Sequence, residues 1–335
     1  MDTMPVAHRR LRTMLRTAMG ETLAAALADS AVFEILVNPD GTIRFDCAGK
    51  GRVLADVAMA PADAERVIRL VASHVRSEID PDCPIVSAEL PLGQDGSGGE
   101  RFEGLLPPVS RGPCFSIRKP ASRVFTLADY VVAGVITDAQ AIVLRRAILH
   151  RQNILVVGGT SSGKTTLTNA LLAEVAEQDE RVVLIEDTRE LRCAASDVVE
   201  LRTRQGHVTM ADLVRSTLRL RPDRIIVGEV RGAEALDLLK AWNTGHPGGI
   251  ATLHANSARG ALYRLEQLIQ EAVTHIPRAL IAEAVNLIVF IRGANAFTGQ
   301  SRHVADIAEV DGLDKDGGYQ LLPLLNGGEE NQRTS

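Results

Sequence analysis

Residues 158–165 read Gly-Gly-Thr-Ser-Ser-Gly-Lys-Thr, which fits the spacing G-x-x-x-x-G-K-[ST] of a phosphate-binding loop. Before it stands Asn153-Ile-Leu-Val-Val157, a short apolar run of strand type. After it, Thr165-Thr-Leu-Thr-Asn-Ala-Leu-Leu172 continues as a helix. Strand, loop and helix thus follow in the order such a loop requires.

Each residue type in the loop has a chemical reason. Gly158, Gly159 and Gly163 let the backbone curl so that successive N–H groups point at a phosphate from the N-terminus of the following helix. Lys164 adds a movable positive charge between the β- and γ-phosphates, and the Thr165 hydroxyl offers one oxygen to a magnesium ion. The expected nucleotide-binding set is therefore Gly158, Gly159, Thr160, Ser161, Ser162, Gly163, Lys164, Thr165 and Thr166, with ATP and Mg2+ as cofactors. GTP is less favoured, because the chain has no Asn/Thr-Lys-x-Asp box to read guanine.

At 335 residues the chain exceeds the usual size of a single core, and its 45% apolar content can fill two. A net charge of −5 gives no global reason to expect direct nucleic-acid binding. The four cysteines form no C-x-x-C pair, so neither a zinc nor a dithiol site is expected. No secretory signal or membrane-length apolar window is visible, and the expected location is the cytoplasm.

The first segment, about residues 7–29, places Leu11, Met14, Leu15, Ala18 and Met19 at helical spacing, with arginines on the other side. This reads as an amphipathic helix, either packed on a core or making peripheral contact with an anionic membrane surface. Ala31–Val37, the turn Asn38–Gly41 and Thr42–Asp46 read as a hairpin, followed by a helix near 61–79. Strands follow near 85–90, 101–106 and 114–118, with an exposed hairpin tip at 93–99. Residues 1–120 are thus expected to form a small α+β domain, residues 121–136 a linker region, and residues 326–335 a disordered tail. Between 137 and 325, strands at 153–157, 182–185, 224–227 and 250–253 alternate with helical patterns, the signature of an α/β fold with a mainly parallel sheet. Ligands of such sheets sit at the carboxyl ends of the strands, and every polar motif is expected to fall there.

Three further segments narrow the chemistry. Val182-Val-Leu-Ile-Glu-Asp-Thr-Arg-Glu190 delivers Glu186 and Asp187 at a strand end, where a carboxylate can orient a water. Asp223-Arg-Ile-Ile-Val-Gly-Glu-Val-Arg-Gly232 ends a strand with Glu229, while Gly228 takes the place where such strands usually carry aspartate. Glu229 is therefore a candidate for the magnesium shell through water, for the water nucleophile, or for both. Thr244-Gly-His-Pro-Gly-Gly-Ile-Ala-Thr-Leu-His-Ala-Asn256 puts His254 at a strand tip, able to donate toward phosphate or to relay nucleotide state.

The ordered set of Gly158–Thr165, Glu186–Glu190, Gly228-Glu229 and Gly245–Asn256 resembles the secretion (traffic) ATPase superfamily of type II secretion, type IV secretion and type IV pili. The short N-terminal region, Ser116-Ile-Arg-Lys-Pro120, Leu218-Arg-Leu-Arg-Pro-Asp-Arg224 and the lack of a tetracysteine site are similar to its type IV secretion branch, including conjugative transfer. The resemblance implies a RecA-like P-loop motor domain, a homohexameric ring and nucleotide held between domains. It also implies an ATP-hydrolysing role for Lys164, Glu186, Glu229 and His254. Arg118 is assigned to the γ-phosphate on the resemblance alone, with Arg123, Arg202 and Arg204 as substitutes.

The partners implied are other secretion or conjugation proteins at the cytoplasmic face of the inner membrane. A pilus or type II secretion motor predicts zinc-binding cysteines or a longer N-terminal domain. A RecA-like helicase needs a basic or aromatic strand channel, and only one tryptophan and three tyrosines are present. A non-hydrolysing scaffold has no need of Lys164, Glu186 and Glu229 together.

Overall fold

A computed structural model describes residues 6–47, 49–91, 99–120, 124–204, 206–294 and 299–326. Most of the hairpin tip expected at 93–99, and the tail from 327 onward, lie outside the described residues. The chain divides into two compact units, Met1–Ser122 and Arg123–Ser335.

The first unit is built from α1 (Val6–Ala28), β1 (Val32–Val37), β2 (Thr42–Cys47), β3 (Gly51–Ala58), α2 (Pro61–Val75), β4 (Ile85–Glu89), β5 (Arg101–Leu105) and β6 (Cys114–Arg118). Its strands form one sheet in the order β3-β2-β1-β6-β5-β4, every neighbour antiparallel. Proline opens α2, where the missing N–H costs nothing. The same helix buries Val67, Ile68 and Val71 completely, against Ile35, Phe102, Phe115 and Ile117 of the sheet.

Leu15, Ala18, Met19 and Leu23 of α1 belong to that same core. The apolar stripe of the helix is thus packed on the core of its own unit, the first of the two readings given for this segment. The strand β3 was not expected from the sequence: nearly all its residues are exposed, so it carries no core pattern to read.

The second unit opens with α3 (Leu127–Val132) and α4 (Asp138–Leu149), each started by a threonine capping box, Thr126 with Asp129 and Thr137 with Gln140. Leu127, Tyr130 and Ile136 are buried in the unit's core. These three residues fall within the region expected as a linker, 121–136, whereas Val132 beside them is exposed. Then come β7 (Ile154–Gly158), α5 (Lys164–Val175), β8 (Arg181–Glu186), β9 (Asp197–Arg202), α6 (Met210–Thr217), β10 (Arg224–Val227), α7 (Glu234–Asn243), β11 (Ile250–His254), α8 (Ala258–Gln270), α9 (Arg278–Ala284), β12 (Leu287–Arg292), β13 (His303–Leu313) and β14 (Tyr319–Asn326).

The sheet order is β14-β13-β12-β7-β11-β10-β8-β9. It is parallel from β12 to β9 and antiparallel at β12, β13 and β14. Successive residues of the central strands face opposite cores. Leu155, Val157, Val183, Ile185, Ile225 and Val227 pack under α6 to α9, whereas Ile154, Val156, Val182, Leu184 and Ile226 pack under α3 to α5. Each such side chain, buried completely, contributes roughly 1.5–3 kcal/mol. Both faces are covered, which is why these strands read as unbroken apolar runs.

One motif lies at the wrong end of the sheet for a ligand site. Residues 244–249 precede β11, at the amino ends of the strands, so the expectation that every polar motif falls at the carboxyl ends is corrected there. His246 Nδ1 is 2.9 Å from the Pro222 carbonyl oxygen. A Cβ on Gly248 would press on the Arg224 guanidinium, and one on Gly249 would overlap the Trp242 indole. The glycines of that loop admit two large buried side chains.

Candidate nucleotide site

Four adjacent strands of the second unit end together. β7, β11, β10 and β8 deliver Gly158, His254, Gly228-Glu229 and Glu186 side by side, with His254 in register with Gly158 and Val227 in register with Ile185. The strand β7 lies between β11 and β12, the point where the chain departs in opposite directions and where α/β sheets bind ligands.

Gly158 closes β7 so tightly that a Cβ would strike the Ile291 carbonyl and the Ser162 hydroxyl. The turn then needs left-handed backbone at Ser161 (φ 58°) and at Gly163 (φ 98°), which caps α5 without a side chain. A Cβ on Gly159 meets nothing, leaving that backbone open to a ligand. Lys164 is buried, its Nζ donating to the carbonyls of Gly158 (3.1 Å) and Gly159 (3.0 Å), so the ammonium is folded back over the loop it would leave to reach a phosphate. Thr165 and Thr166, half-buried, follow in the first turn of α5. This cradle fits a nucleoside phosphate, with N–H groups and a cation converging and no carboxylate in the loop.

Glu229 stands just beyond β10. Its position is fixed by Thr252 on β11, whose hydroxyl donates to the Gly228 carbonyl (2.6 Å) and whose carbonyl accepts from Val230 N–H (2.9 Å). One Glu229 oxygen, Oε2, accepts from the Arg231 guanidinium. The other, Oε1, is buried and 2.7 Å from His254 Nε2, but it has no aligned hydrogen bond. It keeps spare accepting capacity, as does the buried Ser162 hydroxyl of the loop. Glu229, Arg231, His254 and Arg264, with Val230 and Leu253, line a cavity of about 300 Å³. Burial, and secondly Lys164, lower the His254 pKa, so its imidazole is neutral at neutral pH.

Glu186 is buried at the end of β8, and burial raises its carboxyl to about 7. Its Oε1 accepts from the backbone N–H groups of Glu190 (2.9 Å) and Leu191 (2.8 Å), which folds the acidic segment back on the strand. A Cβ on Gly228 would lie 3.1 Å from Glu186 Cγ. A larger residue at 228 would therefore have to displace the Glu186 side chain, which fits glycine in the place where such strands usually carry aspartate. Asp187 turns away to accept from the Thr203 hydroxyl (2.8 Å).

Arg118, in the first unit, ends β6 with an exposed side chain, opposite Glu34 and Arg101. Of its substitutes, Arg123 lies outside the described residues, while Arg202 ends β9 and Arg204 bridges to Val208.

Sequence reasoning missed Arg231, Arg264 and Asn169. Asn169, buried in α5, accepts from Arg192 N–H (2.9 Å) and donates to the Glu190 carbonyl (3.0 Å), bracketing the acidic segment from the other side. An amide within an otherwise apolar helix face was the signal for it. Arg264 carries no local signal, because it reaches the cavity only through the placement of α8. Among the described residues no cluster of three or more His, Cys, Asp or Glu forms a metal cage. A magnesium ion held mainly by phosphates and waters needs only one or two protein oxygens, and Thr165 with the spare Glu229 Oε1 suits that role.

A family model described as Type II/IV secretion system protein matches residues 42–312. The chain is 51% identical over 308 residues to the conjugal transfer protein TrbB of Rhizobium radiobacter, covering 91% of this chain and 92% of that protein. It is 34% identical over 322 residues to the type IV secretion system protein PtlH of Bordetella pertussis, covering 86% and 93%. Among solved structures, the pilus retraction motor PilT with bound ADP matches with a TM-score of 0.62 at 18% identity, over 90% of this chain and 81% of that one. That likeness bears on the fold, an antiparallel-sheet unit followed by a mainly parallel one.

Proposed function

The chain belongs to the type II/IV secretion ATPase family, and from that premise we propose that it hydrolyses ATP to ADP and phosphate as a motor of a conjugative type IV secretion system. The observation that carries the reading is the convergence of Lys164, His254, Glu229 and Glu186 on four adjacent strand ends. The relatives named for conjugal transfer and type IV secretion favour this branch over a pilus or type II motor.

In this reading the P-loop amides and Lys164 bind the phosphates. Glu186, titrating near 7, is the general base that takes a proton from water, because a base works best with its pKa near the operating pH. Glu229 is held by Arg231 and faces His254, so it is suited to orient rather than to abstract. Bound magnesium would supply charge neutralisation at the phosphates. His254 lies within reach of both Lys164 and Glu229, which supports a role in relaying phosphate occupancy between strands β7 and β10. For Arg118, the family resemblance alone supports a γ-phosphate role.

The working form is a homohexamer, with protein partners of the secretion apparatus at the cytoplasmic face of the inner membrane. No described helix is long and apolar enough to cross a membrane. Electron micrographs of the purified chain with ATP and Mg2+ test the assembly: six-membered rings are expected, and uniformly monomeric particles with ATP bound would contradict the motor reading.

A further inference from the structure

Arg302 lies in none of the sequence motifs, yet its side chain crosses the phosphate loop. A Cβ on Gly163 would meet Arg302 Nε at 3.1 Å and Cζ at 3.2 Å, and Arg302 Nη2 is 3.4 Å from the Ser161 carbonyl oxygen. The guanidinium therefore rests against the residue that caps the N-terminus of α5.

Electrostatics make this an unfavourable place for a cation. A helix N-terminus carries partial positive charge and favours anions, and Lys164 follows Gly163 directly. Among the described residues no carboxylate pairs with Arg302, and the Ser161 carbonyl is its hydrogen-bond acceptor, at long range. An exposed arginine in that position is compensated when a polyanion occupies the loop.

Sheet order says which part of the polyanion it meets. Glu229, His254 and Glu186 come from β10, β11 and β8, all on one side of β7. Arg302 belongs to the connection between β12 and β13, on the other side. There Ile291 closes on Gly158, and a Cβ on Gly293 would lie 3.3 Å from Ser162 Cα. A triphosphate with its terminal end toward Glu229 has its nucleoside end toward β12.

Resting on the nucleotide-site reading above, we propose that Arg302 is a nucleotide-binding residue that holds the α-phosphate end of a nucleoside di- or triphosphate, and so serves ADP and ATP alike. Its guanidinium leaves the Ser161 carbonyl and donates to phosphate oxygens in a charge-assisted hydrogen bond.

Calorimetric titration of ADP and of a non-hydrolysable ATP analogue, each with Mg2+, into the full chain tests this with wild type, Arg302→Ala, Arg302→Lys and Lys164→Ala. Arg302→Ala is expected to weaken both nucleotides by the same factor, about tenfold or more, and Arg302→Lys to recover part of the loss for both. Unchanged affinity would overturn the proposal, leaving Arg302 a solvated surface charge. Tighter binding would also overturn it, since the side chain would then obstruct the loop, and so would a loss confined to the ATP analogue. Wild type that binds neither nucleotide would overturn the site reading itself, a result distinct from equal binding by wild type and Arg302→Ala.

Discussion

His254 Nε2 and Glu229 Oε1 stand 2.7 Å apart at the ends of neighbouring strands, and Lys164 Nζ lies 3.4 Å from Nδ1 of the same ring. The imidazole thus bridges the phosphate-loop lysine and the carboxylate beyond β10. His254→Ala is expected to lower turnover by about tenfold to a hundredfold, the equivalent of one well-placed polar contact, with little change in ADP affinity. His254→Gln, neutral and able to hydrogen-bond, should recover part of that loss. Steady-state phosphate release and ADP titration together check it, and a mutant with normal turnover would reduce His254 to a strand-end side chain.

Glu186 predicts a pH signature. Burial holds its carboxyl near 7 against an ordinary 4.5, and the base must be ionised, so turnover should rise with pH through about 7. Glu186→Gln should be slow and lack that rise. The sign for stability is opposite. Between 4.5 and 7 the folded chain binds the proton and the unfolded chain does not, so this group's stabilisation is full below 4.5 and lost as pH rises through 7. Comparing denaturant midpoints of the nucleotide-free wild type and the Gln variant from pH 4.5 to 8 should show that slope in the wild type only.

Gly228→Ala should act through its neighbour. The added methyl presses on Glu186 Cγ at about 3.1 Å, and overpacking of this kind costs about 1–3 kcal/mol. Glu186 can relieve the strain only by moving, so phosphate release should fall by a larger factor than nucleotide affinity. Wild-type turnover in this variant would mean that Glu186 position is not critical.

The fold itself depends on a buried cation far from the phosphates. Arg224, 1% exposed, bonds Glu180 and the carbonyls of Ile148 (2.8 Å) and Gly248 (3.2 Å). Arg224→Met strands those acceptors, although Arg151 still pairs with Glu180. A loss of about 3–5 kcal/mol is expected, read as a lower urea midpoint. An unchanged midpoint would show that Arg151 alone satisfies Glu180.

The parallel strands and the phosphate loop were legible because they depend on local pattern. β7, β8, β10 and β11 are apolar on both faces, and the loop's glycines and lysine are fixed by ligand geometry. What could not be read depends on the sheet order. Arg264 and Arg302 join the site only once α8 and the β12–β13 connection are placed beside it. Residues 244–249 precede a strand expected from 250 and so belong to the amino end of the sheet, but they were grouped with His254, at the other end of the same strand, as one motif. Glu186 was expected as a carboxylate emerging beside the phosphates. Its grip on Glu190 and Leu191 shows that it also shapes the segment it belongs to.

Phosphate release from ATP by wild type and by Lys164→Ala tests the central claim most directly. The Nζ of Lys164 contacts the loop carbonyls and the His254 ring, so the variant should stay folded by circular dichroism while turnover falls to background. Retention of more than about a tenth of wild-type turnover by a folded variant would contradict the assignment of this site as the motor's catalytic centre.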